Sequence, residues 1–70
     1  MLEVYERLGL HCHEPVAETV VLEHDQRDKG RLRLISESGT EVRLFLERGK
    51  PLLVGEFLKT ECGKIVQVQG

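Results

Sequence analysis

His11, Cys12 and His13 stand side by side in a chain that has only three histidines and two cysteines. Imidazole nitrogens and thiolates suit Ni²⁺ and Zn²⁺, so the stretch "GLHCHEP", residues 9–15, poses a metal site first. If the first strand continued through it, His11 and His13 would share one face with their Cα atoms about 6.5–7 Å apart, and Cys12 would face the other way. A closed structural site wants about four ligands. The rest would have to come from His24, Cys62 or a second copy of the chain. A loop ending at Pro15 could instead turn all three side chains toward one ion. Two adjacent ligands fall short of a closed shell, and the stretch reads as an exposed connection between strands. A small metal-binding protein using His11, Cys12 and His13 stands as the alternative function.

Catalytic patterns are not found. Asp25 and Asp28 lie in a polar connection, and the chain has no G-x-S-x-G, no phosphate-binding glycine loop and no Cys-x-x-Cys. Acid–base chemistry needs positioned groups in a pocket that excludes water. A chain of 70 residues has little interior for one, so the acidic residues read as solvated surface groups and no enzyme is expected.

The other concentrated feature is basic. "QRDKGRLR" holds Arg27, Lys29, Arg31 and Arg33 in a chain whose net charge is −2. Arg31 and Arg33 share the outer face of a strand, and Arg43 joins them from the neighbouring hairpin strand. Such a patch suits an acidic partner, because complementary charge speeds and orients association. Its bland reading is a soluble sheet face that also discourages edge pairing.

These residues need a scaffold, and length bounds it. Seventy residues make a single small domain, which buries only about 60% of its extended surface and is marginally stable unless something adds to it. Hydrophobic residues at 40% and charged residues at 31% are a globular balance. An acidic chain is not expected to bind nucleic acid. No apolar run approaches the roughly 20 residues that span a bilayer, and Glu3, Glu6 and Arg7 interrupt any leader-like start. Two cysteines are fewer than a small secreted domain usually carries, which favours reduced thiols and the cytoplasm.

Apolar residues recur with period two. Leu2 and Val4, followed by Glu6, take one face of 1–8, with Tyr5 on the other. Residues 16–22 are rich in β-branched residues and follow Pro15. In 31–36, Leu32 and Leu34 face inward, opposite Arg31, Arg33 and Ile35. Val42, Leu44 and Leu46 do so in 41–46, as do Val66 and Val68 in 64–69. Gly39 supplies a tight turn, and Cys62-Gly63 another. One long irregular connection, 47–57, is expected to hold a short strand around 52–54. Two small packed sheets would bury the apolar faces of such strands, making an all-β domain.

"RDKGRLR", "SGTEVRLFLERGKPLLVGEFL" and "GKIVQV", in that order and spacing, resemble the N-terminal domain of the UreE family, nickel metallochaperones of urease maturation. The likeness covers about residues 20 to 69, and the opening "ML-V-x-x-R" also fits. Glu47 departs from it, since many members have Pro before Arg48. The resemblance implies a domain similar to the peptide-binding domain of Hsp40-type chaperones, docking partners such as urease apoprotein and urease-maturation proteins. It also implies that nickel and dimerisation belong to a second domain that would begin where this chain stops, so no cofactor is expected in these residues. Arg48, just before Gly49, is expected to donate to carbonyls left unpaired by the loop, with fork geometry that a lysine lacks.

The chain alone is therefore expected to bind Ni²⁺ weakly or not at all in equilibrium dialysis. Tight uptake of one Ni²⁺, lost in a His11→Ala/His13→Ala variant, would restore the metal reading.

Overall fold

Strict alternation leaves each short run with one face that must leave water, and a half-buried strand is the simplest element that satisfies it. The computed structural model describes residues 1–47 and 49–70. Six strands follow one another: β1 (Leu2–Gly9), β2 (Val16–Val21), β3 (Arg31–Ile35), β4 (Glu41–Phe45), β5 (Phe57–Thr60) and β6 (Ile65–Gln69). Among the described residues there is no helix, and the all-β expectation holds. Arg48 lies outside the described residues.

The strands form one hydrogen-bonded sheet in the order β2-β6-β5-β1-β4-β3. Two packed sheets were expected; the sheet is instead continuous and curls until its halves share a core. The reason is β1, which pairs with β4 in parallel on one side and with β5 antiparallel on the other, so joining the two halves. The inward faces meet in a single cluster that includes Val20 of β2, Leu34 of β3, Val42 and Leu44 of β4, Leu58 of β5, and Val66 and Val68 of β6. Leu32 and Leu46 pack against its margin, half-buried. Ile35 is exposed on the outer face, as its alternation requires.

Two departures come from pairing. The strand expected around 52–54 is not formed; β5 lies further on, at Phe57–Thr60. Its two buried positions are Leu58 and Thr60, so only one inward residue is apolar and the periodic signal is weak. Leu52 is buried all the same, as a plug from the connection, with its N–H donating to the Arg27 carbonyl at 2.9 Å. The second departure lies in β1. Val4 pairs with Thr60 but Glu6 with Lys59, so β1 carries one more residue than β5 there, a β-bulge. Tyr5 and Glu6 are both exposed as a result. The expected inward position of Glu6 passes to Arg7, opposite the fully buried Leu58.

Both antiparallel hairpins use one turn device, written "SESGT" over 36–40 and "TECGK" over 60–64. The leading hydroxyl is buried and accepts from the backbone N–H four residues on: Thr40 N to Ser36 Oγ at 3.1 Å, Lys64 N to Thr60 Oγ1 at 3.0 Å. Gly39 and Gly63 take φ of 91° and 86°, where a side chain would be strained. Cys62 thus occupies the place of Ser38, with its sulfur 3.3 Å from Thr60 Oγ1.

The first turn also holds the edges of the sheet together. Glu37 N donates to the carbonyl of Thr19, on β2 at the opposite edge, at 3.0 Å. Around that bond the Glu18 carboxylate accepts from the hydroxyls of Ser36, Ser38 and Thr40. The Ser38 and Ser36 hydrogen bonds hold the Glu18 carboxyl below its ordinary range.

Leu44→Ala should cost about 2–5 kcal/mol, because Leu44 is buried and the wall around it cannot collapse fully. In a domain this small, little folded protein should remain in a thermal melt. A variant melting like the parent would mean that Leu44 is not a core residue.

Candidate docking surface

Three neighbouring strands, β1, β4 and β3, set the outer face where the basic residues lie. Cross-strand partners share a face. The register places Glu3, Arg43 and Arg33 in one row across β1, β4 and β3, and Phe45 and Arg31 in the next. Arg31, Arg33 and Arg43 are all exposed there, as their alternation with Leu32, Leu34, Val42 and Leu44 dictates.

Charge on this face is partly balanced by its own strands. Arg43 Nε donates to Glu41 Oε2 at 2.7 Å, and Arg33 lies 3.3 Å from Glu41 Oε1. The Arg43 hydrogen bond, aided by the field of Arg33, holds the Glu41 carboxyl below its ordinary range. Like-charged Arg33 and Arg43 sit directly opposite each other, which is unfavourable alone, and one carboxylate between them removes the repulsion. Arg31 is in no ion pair among the described residues.

Lys29 is exposed next to Arg31, and the two line a shallow depression together with Asp28, Gly30 and Gly49. Arg27 is not brought to this face. It lies half-buried in the β2–β3 connection, its guanidinium 3.2 Å from His24 Nδ1 and its carbonyl bonded to Leu52. Nearness in sequence grouped Arg27 and Lys29 with the arginine face, but strand alternation begins only at Arg31.

His11, Cys12 and His13 lie in the connection between β1 and β2, as the loop reading expected. Both histidines are exposed. Among the described residues no group of three or more His, Cys, Asp or Glu side chains is placed to hold a metal ion. The further ligands considered are engaged elsewhere, His24 with Arg27 and Cys62 in its hairpin turn.

Two arrangements escaped the sequence reading. Tyr5 and Phe45 stack on the outer face, ring centroids 5.1 Å apart and planes 12° from parallel. Arg7 grips Glu56, with Nε to Oε2 at 2.6 Å and NH2 to Oε1 at 2.8 Å. Arg7 also donates to the carbonyls of Lys50 and Pro51 at 2.6 and 3.1 Å. Arg7 thus braces the loop; Arg48, of which such a role was expected, lies outside the described residues. The Glu56 carboxylate accepts the Leu53 N–H at 3.1 Å as well. Burial pushes the Glu56 carboxyl up, but the Arg7 and Leu53 bonds and the Arg7 charge outweigh it and hold the group below its ordinary range. The only advance signal was a glutamate inside the apolar run "LLVGEFL".

Comparison with known proteins adds a family. The model described as the UreE urease accessory protein, N-terminal domain, matches residues 4–69. The urease accessory protein UreE of Marinomonas sp. (strain MWYL1) is 73% identical over 70 residues, which is 100% of this chain and 48% of the relative. UreE of Psychromonas ingrahamii is 46% identical and that of Alteromonas mediterranea 49%, each over 100% of this chain and 45% of its own length. The chain spans about half the length of these curated relatives.

Glu56→Gln should destabilise the domain by roughly 1.5–3 kcal/mol at neutral pH, the range for a lost charged hydrogen bond. Because the folded carboxyl titrates below its unfolded value, its contribution is complete above the unfolded pKa and is lost as pH falls through the folded one. The gap between wild type and variant in thermal melts should therefore narrow in acid. A gap independent of pH would remove the ion pair from this role.

Proposed function

Because this chain belongs to the UreE urease accessory protein family, matching its N-terminal domain, we propose that it is a partner-docking domain of a nickel chaperone that assists urease maturation. The family is one of accessory proteins rather than enzymes. The observation that carries the docking reading is the cluster of Arg31, Arg33 and Arg43 on one outer face of β3 and β4, with Lys29 beside it. Arg27, half-buried beside His24 in the β2–β3 connection, is left out of this surface.

The partner is an acidic surface of urease apoprotein or of another urease-maturation protein. Exposed guanidiniums on a rigid sheet act first on the encounter: they raise the rate of productive approach and set its orientation. Nickel handling and homodimerisation fall to the portion of the relatives that lies outside this chain's match, and the work is done in the cytoplasm. Among the described residues no helix is long and apolar enough to cross a membrane.

Association kinetics of the chain with urease apoprotein and urease-maturation proteins test the reading. Arg31→Glu/Arg33→Glu should slow association roughly tenfold at low salt. The difference should fade at high salt, since exposed charges are screened beyond about 8–10 Å at physiological ionic strength. An on-rate unchanged by charge reversal at low salt would reduce the patch to a solubility device.

A further inference from the structure

The arginine face is also unusually apolar for the solvated side of a sheet, which normally carries polar residues. Tyr5 and Ile35 point outward from β1 and β3 with 58% and 60% of their surface exposed, and Met1 at the edge with 64%. Phe45, half-buried, lies between Tyr5, stacked on it, and Arg31, its partner across the β3–β4 ladder. A flat aromatic pair bordered by guanidiniums is the composition that interface centres favour, since Tyr, Phe, Met and Arg are enriched there.

Building on the docking reading, we propose that this face captures an extended acidic segment of the partner by an apolar anchor: an aromatic or branched aliphatic side chain laid on the Tyr5–Phe45 stack, with flanking carboxylates on Arg31 and Arg33. Charge decides among occupants. Glu41 is already shared by Arg43 and Arg33, and Glu3 accepts from the Tyr5 hydroxyl at 3.4 Å. Arg31 has no such partner among the described residues, and Arg33 lies 3.3 Å from Glu41, further than the 2.7 Å of Arg43. Both can take up carboxylate. A second copy of this chain docked face to face would bring arginines against arginines. A phosphate backbone would meet Glu3 and Glu41 in a chain of net charge −2. An acidic peptide that brings its own apolar residue satisfies both the charges and the aromatic surface.

Titrations of the isotopically labelled chain followed by NMR, with three synthetic peptides, test this. The probes are Glu-Asp-Glu-Phe-Glu-Asp, the same peptide with Ser for Phe, and the same with Gln and Asn for the acids. Saturable shifts are expected at Tyr5, Phe45, Arg31 and Arg33 with the first peptide. Affinity should fall roughly tenfold or more for each control peptide, and likewise for the Tyr5→Ser chain, as loss of a central interface aromatic does. Tyr5 is exposed, so Tyr5→Ser should leave the spectrum of the free chain folded. Equal binding by the Phe and Ser peptides would overturn the anchor while leaving charge-driven docking intact. Tightest binding by the neutral peptide, or no shift on this face with any peptide, would overturn the inference. The docking reading would then stand or fall on the Arg31→Glu/Arg33→Glu kinetics. Concentration-dependent broadening of this face without peptide would make a second copy the occupant and overturn it too.

Discussion

The ion pair between Arg7 and Glu56 is the constraint that the rest of the structure leans on. It joins residues 49 positions apart, β1 to the end of the β4–β5 connection. A carboxylate as buried as Glu56 is costly unless charge and hydrogen bonds compensate for lost water. Arg7 supplies both and extends the same guanidinium to the carbonyls of Lys50 and Pro51. Two backbone carbonyls of a connection without regular structure are thus satisfied by one side chain. The chain then leaves Glu56 directly into β5, whose pairing with β1 and β6 makes the sheet continuous. Arg7 can reach inward only because the bulge after Val4 adds a residue to β1. That extra residue also leaves Tyr5 and Glu6 together on the outside. The Arg7 brace and the exposure of Tyr5 and Glu6 therefore share one irregularity.

Glu18 does for the sheet edges what Glu56 does for the connection. A curled sheet of six short strands has two edges, β2 and β3, each with unpaired backbone groups. The Glu37–Thr19 backbone bond and the three hydroxyls around Glu18 bring those edges together at one corner. Placing the donors on a turn and the acceptor on an edge strand keeps this polar cluster at the margin of the core. Such polar closures matter in a chain of 70 residues, whose apolar core alone is small.

The proposed docking surface is the side of the sheet that folding does not use. The inner face of β3 and β4 is filled by Leu34, Val42 and Leu44, which leaves the alternate residues free of any packing demand. What occupies them is neither uniformly polar nor uniformly basic, but three arginines tempered by Glu41 and set beside a stacked aromatic pair. A surface of this kind suits recognition, and the chain belongs to a family of accessory proteins.

Much of this was legible along the chain. Period-two alternation identified an all-β domain, the inward residues of β3, β4 and β6, the outward arginines, and two glycine turns. The shortage of ligands around His11, Cys12 and His13 identified a connection. The ordered motifs pointed to the family. Each of these depends on residues a few positions apart, and local spacing is enough to read them. Tertiary structure alone decided which strands meet. It replaced two sheets with one, moved the fifth strand from 52–54 to Phe57–Thr60, turned Arg7 inward in place of Glu6, and drew Arg27 away from the basic face. It also paired Arg7 with Glu56 and Tyr5 with Phe45. Alternation states only that one side of a strand is apolar. A bulge, a register and a buried ion pair arise between segments distant in sequence, where the geometry of the partner strand selects the side chain that turns in.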